Sequence, residues 1–288
     1  MSAFRSVREV ERELNRLRHE SIGPGEAATI RTSSMTHMAW VPPKWVDAAT
    51  GTLSGLGERH PARTVLIFPE PEAGRDALLA EADLRCFVAK TLEHQVCSEV
   101  IEIRLLGARA EAPASVVQPL LLPDLPVFMR WRGQLCETDG QWELIRVPDR
   151  LIVDSAEWPD LYSGCSRLRR LVGAVAVSDI AWSRLRPWRE EIAVLWPDVA
   201  ETDEIRVAGP EADASLLWAW LSARLDREVD LVHEPAGEVE LVEVDGNPVE
   251  LSRSDDRDPS DLLSEQLDLF ARDPIYEEAV ARIVAVPA

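Results

Sequence analysis

The sequence predicts an α/β protein: an N-terminal α/β domain on a mixed sheet, residues 1–171, followed by a smaller acidic α+β domain, residues 172–288. Three observations carry that expectation. Short apolar runs rich in β-branched residues alternate with segments of helical period. One pair of such runs is separated only by a short polar connection, which reads as a hairpin and makes the sheet mixed. Charge is divided unevenly: residues 1–190 hold 24 basic and 26 acidic side chains, whereas residues 191–288 hold 7 and 25. Such asymmetry is expected of two domains with different surfaces.

In chain order, Phe4, Val7, Val10, Leu14 and Leu17 recur at helical steps and predict an amphipathic helix over 3–19, stopped by Gly23-Pro24-Gly25. Residues 29–41 are ambiguous, and Pro42-Pro43 leads into a helix that ends in GTLSGLG at 51–57. The run Thr64–Phe68 is continuously apolar after its first residue, as in a strand covered on both faces. Residues 84–91 and 97–105 form the hairpin; Ile101, Ile103 and Leu105 share one face, Glu102 and Arg104 the other. A short helix over 113–121, strands at 125–131 and 151–153, and a helix over 157–170 complete the first domain. The second begins with a helix over 179–195 that Pro187 kinks or divides in two. A strand at 204–208, a helix at 214–225, and strands at 229–233 and 238–244 follow, with a turn at Asp245-Gly246-Asn247 into 248–251. Helices at 259–270 and 275–284 end the reading.

A formal net charge of −20 argues against nucleic-acid or anionic-membrane binding, both of which require basic surface. No apolar run approaches a membrane span and the N-terminus has no signal-peptide pattern, so the expectation is a soluble, cytoplasmic chain. Cys86, Cys97, Cys136 and Cys165 are too sparse for a disulfide-stapled fold. Buried free thiols are the ordinary reading, and a redox pair stays open because sequence cannot choose among the pairings.

Catalytic signatures fail one by one. GPGEAA at 23–28 matches a dinucleotide fingerprint by letter but follows a helix rather than a strand. GTLSGLG lacks the lysine of a phosphate loop and the spacing of a hydrolase elbow. The five histidines show no ligand spacing, and no metal or cofactor is expected. Asp149 and Asp154 flank a strand, and Asp154-Ser155 reads as a helix cap. The sequence thus points away from an enzyme. One cluster stands out: Trp182, Arg184, Arg186, Trp188 and Arg189 interleave within DIAWSRLRPWRE at 179–190, shortly after Arg167, Arg169 and Arg170. Arginine forks suit carboxylates and phosphates. The competing reading is a helix with core tryptophans whose arginines pair with Asp179, Glu190 and Glu191.

Several segments, in order, resemble the OpcA family, the glucose-6-phosphate dehydrogenase assembly proteins of actinobacteria and cyanobacteria. They are HPAR at 60–63, SEVI at 98–101, PLLLPDLPVFMRW at 119–131, DRLIVDS at 149–155, DIAWSRLRPWRE at 179–190 and WLSARL at 220–225. The motif positions of interest are His60, Arg63, Glu99, Asp124, Asp149, Arg150 and Asp154. Arg130-Trp131 and Arg186-Pro187 depart from the family pattern, where a paired aromatic and a threonine are expected. The resemblance implies a non-catalytic assembly factor or allosteric activator of glucose-6-phosphate dehydrogenase, serving the oxidative pentose phosphate pathway and NADPH supply. Interface anchors are typically tryptophan and arginine, so Trp182, Arg184, Trp188 and Arg189 are the expected partner-binding residues. On that expectation, alanine at Arg184 and Arg189 abolishes activation without changing the melting temperature. The alternative is a metabolite sensor, or an enzyme acting on a phosphorylated sugar, that uses the arginines at 167–189; a metabolite effector stays open in either case.

Overall fold

The computed structural model describes residues 4–20, 33–53, 56–88, 95–252 and 257–285. The GPGEAA segment, Ser54-Gly55 of GTLSGLG and residues 89–94 of the hairpin connection lie outside them. The fold is α/β with mixed sheets. The described residues of Met1–Ile152 form a compact unit with Pro259–Phe270, and those of Val153–Asp258 a second with Ala271–Ala288. This division falls ahead of the 171/172 boundary read from the sequence, and it places a C-terminal helix in the first unit.

In the first unit, helix α1 (Val7–Glu20) turns Val10 and Leu14 into the core. Phe4 is not part of the helix; its backbone bridges to Ala80. The ambiguous stretch contains strand β1 (Met35–Trp40), all six residues of which are buried. Helices α2 (Val46–Leu53) and α3 (Leu56–Arg59) lead to β2 (Ala62–Glu70). The hairpin is longer than the sequence suggests: β3 (Ala77–Val88) pairs antiparallel with β4 (Gln95–Leu106) from Ala77 opposite Leu106 to Val88 opposite Gln95. In that register Cys86 faces Cys97, and the two are joined as a disulfide; Cys136 and Cys165 are buried and take no part in a disulfide. A short helix, α4 (Pro113–Val117), precedes β5 (Val127–Trp131), then α5 (Asp139–Leu144) and β6 (Arg150–Val153). The strand order is β3-β4-β2-β1-β5-β6, with every neighbouring pair but the hairpin parallel. Trp40 and Trp131, paired across β1 and β5, stack with ring centroids 5.0 Å apart. Such pairs add roughly 0.5–1.5 kcal/mol beyond the area they bury.

In the second unit, α6 (Leu161–Arg169) starts later than the expected 157, with Asp160 capping it through the Ser163 N–H. Strand β7 (Ala176–Asp179) was not expected; α7 (Ile180–Arg184) and α8 (Arg186–Val194) follow, with Pro187 in the first turn of α8, where its missing N–H costs nothing. Next, β8 (Glu204–Gly209), α9 (Glu211–Leu225) and β9 (Asp230–Pro235) form a βαβ unit, since β8 and β9 pair in parallel. On the other side of β8 lies the antiparallel β10 (Leu241–Val244), which turns into β11 (Asn247–Pro248). That turn has positive φ at both Asp245 (49°) and Gly246 (73°), as a type I′ hairpin needs. Helix α10 (Pro259–Leu267) packs on α2 and α3 in the first unit, and α11 (Pro274–Ala285) on α6 and α9 in the second. No described helix is long and apolar enough to cross a membrane.

Candidate functional site

The segment DIAWSRLRPWRE folds as the end of β7, a bend, and two short helices. Asp179 caps α7, accepting the Ala181 N–H at 3.0 Å with the same oxygen that takes the Ser155 N–H at 3.0 Å. Its other oxygen accepts the Tyr276 hydroxyl at 3.0 Å. Trp182 is buried, its Nε1–H donating to Asp273 at 2.8 Å and its ring 5.7 Å from that of Tyr276. Arg184 grips Asp213 in a fork, Nε to Oδ1 at 2.9 Å and Nη2 to Oδ2 at 3.1 Å, and Nη2 also reaches Asp154 at 3.4 Å. Arg189 lies over the Trp182 ring, 3.4 Å from its centroid, and donates to the Trp182 carbonyl at 3.0 Å; its buried Nε has no acceptor among the described residues.

The electrostatics follow from burial. Asp179 is pushed up to about 6, first by desolvation and then by the charge of Asp154, against the pull of its hydrogen bonds. Burial likewise raises Asp213, with Arg184 opposing. Burial alone would depress the Arg184 guanidinium, but the bond to Asp213 and the nearby carboxylates outweigh it and hold it above its ordinary value. Arg189, with less to compensate it, falls to about 10 through burial, opposed by Asp273. Tyr276 and Cys165 are both raised, by burial and then by Asp179.

The arginines of this segment therefore do not form one open anion cradle. Arg184 is spent on carboxylates and Arg189 on an indole, and neither takes Asp179, Glu190 or Glu191 as the core-helix reading expects. Arg186 reaches Glu190 only at 3.9 Å, on an exposed face. Beyond the charged face of Arg186 and Glu190, the exposed side chains become apolar at the end of α8 and just after it. Trp188 is half-buried, and the end of α8 exposes Val194 (76%), Leu195 (41%) and Trp196 (66%) in succession. Three consecutive exposed apolar side chains of this size are unusual outside interfaces. Sequence reasoning missed this trio because IAVLWP reads as ordinary helix interior. It also missed Asp213, which looks like a first-turn helix acid but is fully buried, and Asp273 and Tyr276, which only the chain's return brings to α7.

The motif residues of the first unit form a different group. Arg63, buried at 3% exposure, donates from Nε to Glu99 at 2.7 Å, and from Nη1 to Glu11 and to the Leu120 carbonyl, both at 2.8 Å. Arg18 completes this network on Glu99 at 2.5 Å. His60 contacts Ser264 Oγ at 2.7 Å. Asp149 accepts the Val127 N–H at 2.8 Å, Arg150 is buried beside it, and Asp124 occupies a turn at φ 64°. Asp154 belongs to the second unit, where it caps the turn at Ser155 and meets Arg184, as the capping expectation holds. These contacts are architectural.

Two family profiles match the chain side by side. One, described as the glucose-6-phosphate dehydrogenase subunit N-terminal domain, takes residues 54–170; the other, described as the C-terminal domain of the same subunit, takes residues 175–280. The chain belongs to the OpcA family. Among its relatives, the OxPP cycle protein OpcA of Synechocystis sp. is 28% identical over 188 residues, 61% of this chain and 39% of that protein. The protein of the same name from Nostoc punctiforme is 26% identical over 200 residues, 65% and 42% of the two chains, and that of Synechococcus elongatus 25% over 214 residues, 70% and 47%. This chain thus spans less than half the length of those OpcA relatives. Within the OpcA match, α7, α8 and Asp213 all fall in the C-terminal profile, and the Arg63–Glu99 network in the N-terminal one.

Proposed function

We propose that this chain is a non-catalytic, cytoplasmic partner of glucose-6-phosphate dehydrogenase that promotes assembly of the enzyme or activates it allosterically, and so supports the oxidative pentose phosphate pathway and NADPH supply. The observation that carries this reading is the pair of consecutive profiles described as domains of a glucose-6-phosphate dehydrogenase subunit. Their junction, between residues 170 and 175, is also where we place the functional domain boundary, at 171/172.

The docking face we propose is the α7–α8 segment. Trp188, Leu195 and Trp196 are its contact anchors, with the large apolar area and low entropy cost typical of hot spots. Trp182, Arg184 and Arg189 serve it from beneath, because the forked pair and the stacked guanidinium hold α7 and α8 at their bend. An activator must bind one state of its target more tightly than another, since equal affinity shifts nothing. The phosphorylated-sugar alternative is disfavoured by the engagement of Arg184 with Asp213 and Asp154. Co-elution with the dehydrogenase of the same organism, followed by light scattering, tests the reading: a heteromeric peak supports it, and independent elution at micromolar concentrations contradicts it.

A further inference from the structure

The first unit contains a cavity of about 160 Å³ between one face of its sheet and the helices α2, α3 and α10. Strand alternation places His37, Thr64, Ser98 and Arg85 on that face: His37 lies opposite Thr64 on β1 and β2, Arg85 opposite Ser98 on β3 and β4, and Ser98 two residues before Val100, the partner of Thr64. The same alternation sends Arg63 and Glu99 to the opposite face, so the motif segments at 60–63 and 98–101 contribute both to the ion network and to the cavity. Leu66 and Val100 from the sheet, and Leu53, Leu56 and Leu267 from the helices, make most of the wall apolar.

Two polar atoms on this wall find no partner among the described residues. His37 is 2% exposed and Ser98 4%, yet His37 Nε2 and Ser98 Oγ have no partner among the described residues. Buried polar groups are nearly always satisfied, so two orphans on one small cavity call for an occupant. Burial, then the neighbouring His60 and Arg130, holds His37 down to about 4, so the ring is neutral at physiological pH and Nε2 is free to donate or accept one hydrogen bond. Among the described residues no carboxylate lines the cavity, in a chain whose net charge is −20, and the permanent charge on its described wall is Arg85, on the exposed side.

We propose that this cavity binds a small monocarboxylate with a compact apolar body. The carboxylate accepts from Ser98 and His37 and is neutralised by Arg85; the apolar body lies against Leu66, Val100 and Leu267. A cavity of about 150 Å³ takes a benzene-sized group, so a phosphorylated hexose or a dinucleotide does not fit inside. The site is separate from the α7–α8 face and does not depend on docking there.

Benzoate is the probe, with benzamide as its neutral isostere and inorganic phosphate as a bare anion, each titrated into the full chain by calorimetry and ligand-observed NMR. Benzoate is expected to bind saturably, at least tenfold more tightly than benzamide, and phosphate not at all. Arg85→Gln, at an exposed position, is expected to weaken benzoate about tenfold and leave benzamide unchanged. Ala62→Leu, which fills the cavity from β2, is expected to remove both; the glutamine variant keeps the test decisive if the leucine variant misfolds. Absence of saturable benzoate binding, equal affinity for the amide, a preference for phosphate, or benzoate binding unaffected by Arg85→Gln would each overturn the proposal, leaving a cavity filled by water.

Discussion

Replacing Arg184 with alanine should unfold the second unit far more readily than its place on a short, partly exposed helix suggests. Asp213, its partner, is fully buried, and both its oxygens are held by the Arg184 fork. Two unit charges about 4 Å apart interact by about 4 kcal/mol at an effective dielectric of 20. Breaking one side of a buried pair costs about 3–5 kcal/mol, because the remaining charge is left without compensation. The Arg184 side chain keeps 30% of its surface in water, which favours the lower end. We therefore expect a loss of about 3 kcal/mol at pH 7.5, a drop of roughly 10 °C in Tm for a unit of this size. The loss should shrink at pH 5, where an unpaired, buried Asp213 takes up a proton instead. Arg184→Met with Asp213→Leu should recover most of the stability, since an apolar pair of similar volume replaces an ion pair at little net cost. Urea unfolding followed by tryptophan fluorescence reads both variants against the parent. A single-variant loss below 1 kcal/mol, or a double variant no better than the single, would refute the reasoning and return Arg184 to the surface role expected from sequence.

Further outcomes follow from the same contacts. Asp179 binds its proton more tightly folded than unfolded, with a pKa near 6 against an ordinary 3.8; stability is therefore full below pH 4 and declines as pH rises through 6, by about 3 kcal/mol in all at 1.36 kcal/mol per unit. Asp179→Asn should flatten that decline in urea unfolding at pH 5 and 7.5, and an unchanged slope would contradict the assignment. Gly140→Ala should cost about 2 kcal/mol or more, because a Cβ there collides with the Glu111 carbonyl, and a melting temperature within 2 °C of the parent would show that the backbone yields easily. Trp196→Ser, at an exposed position, should change stability by less than about 0.5 kcal/mol while weakening the proposed complex.

Elements with strong local pattern were legible in the sequence: the apolar run of β2, the alternation of β4, the Pro187 break between α7 and α8, and the Asp245-Gly246 turn. Those built by context were not. Strand β1 reads as MTHMAW, with Thr36 and His37 interrupting the apolar run expected of a strand buried on both faces, and only its neighbours β2 and β5 make it a strand. Helix α5 did carry a signal, the Thr138/Gln141 capping box, which its short apolar content obscured. At the candidate site the direction in which each side chain points was not legible. Arginines in DIAWSRLRPWRE read as surface anchors because nothing local reveals that Asp213, 29 residues on, turns inward. The outward residues, Val194 to Trp196, looked like core for the same reason: the partner that covers a residue is a long-range fact.

The most direct measurement is the NADP-dependent rate of glucose 6-phosphate oxidation by the dehydrogenase of the same organism, with this chain titrated in, parent against Leu195→Ser/Trp196→Ser. The account predicts a saturable gain in rate with the parent, and a concentration dependence shifted at least tenfold to the right with a variant of unchanged Tm. No gain with the parent would contradict the proposed function, and equal gains from parent and variant would contradict the docking face.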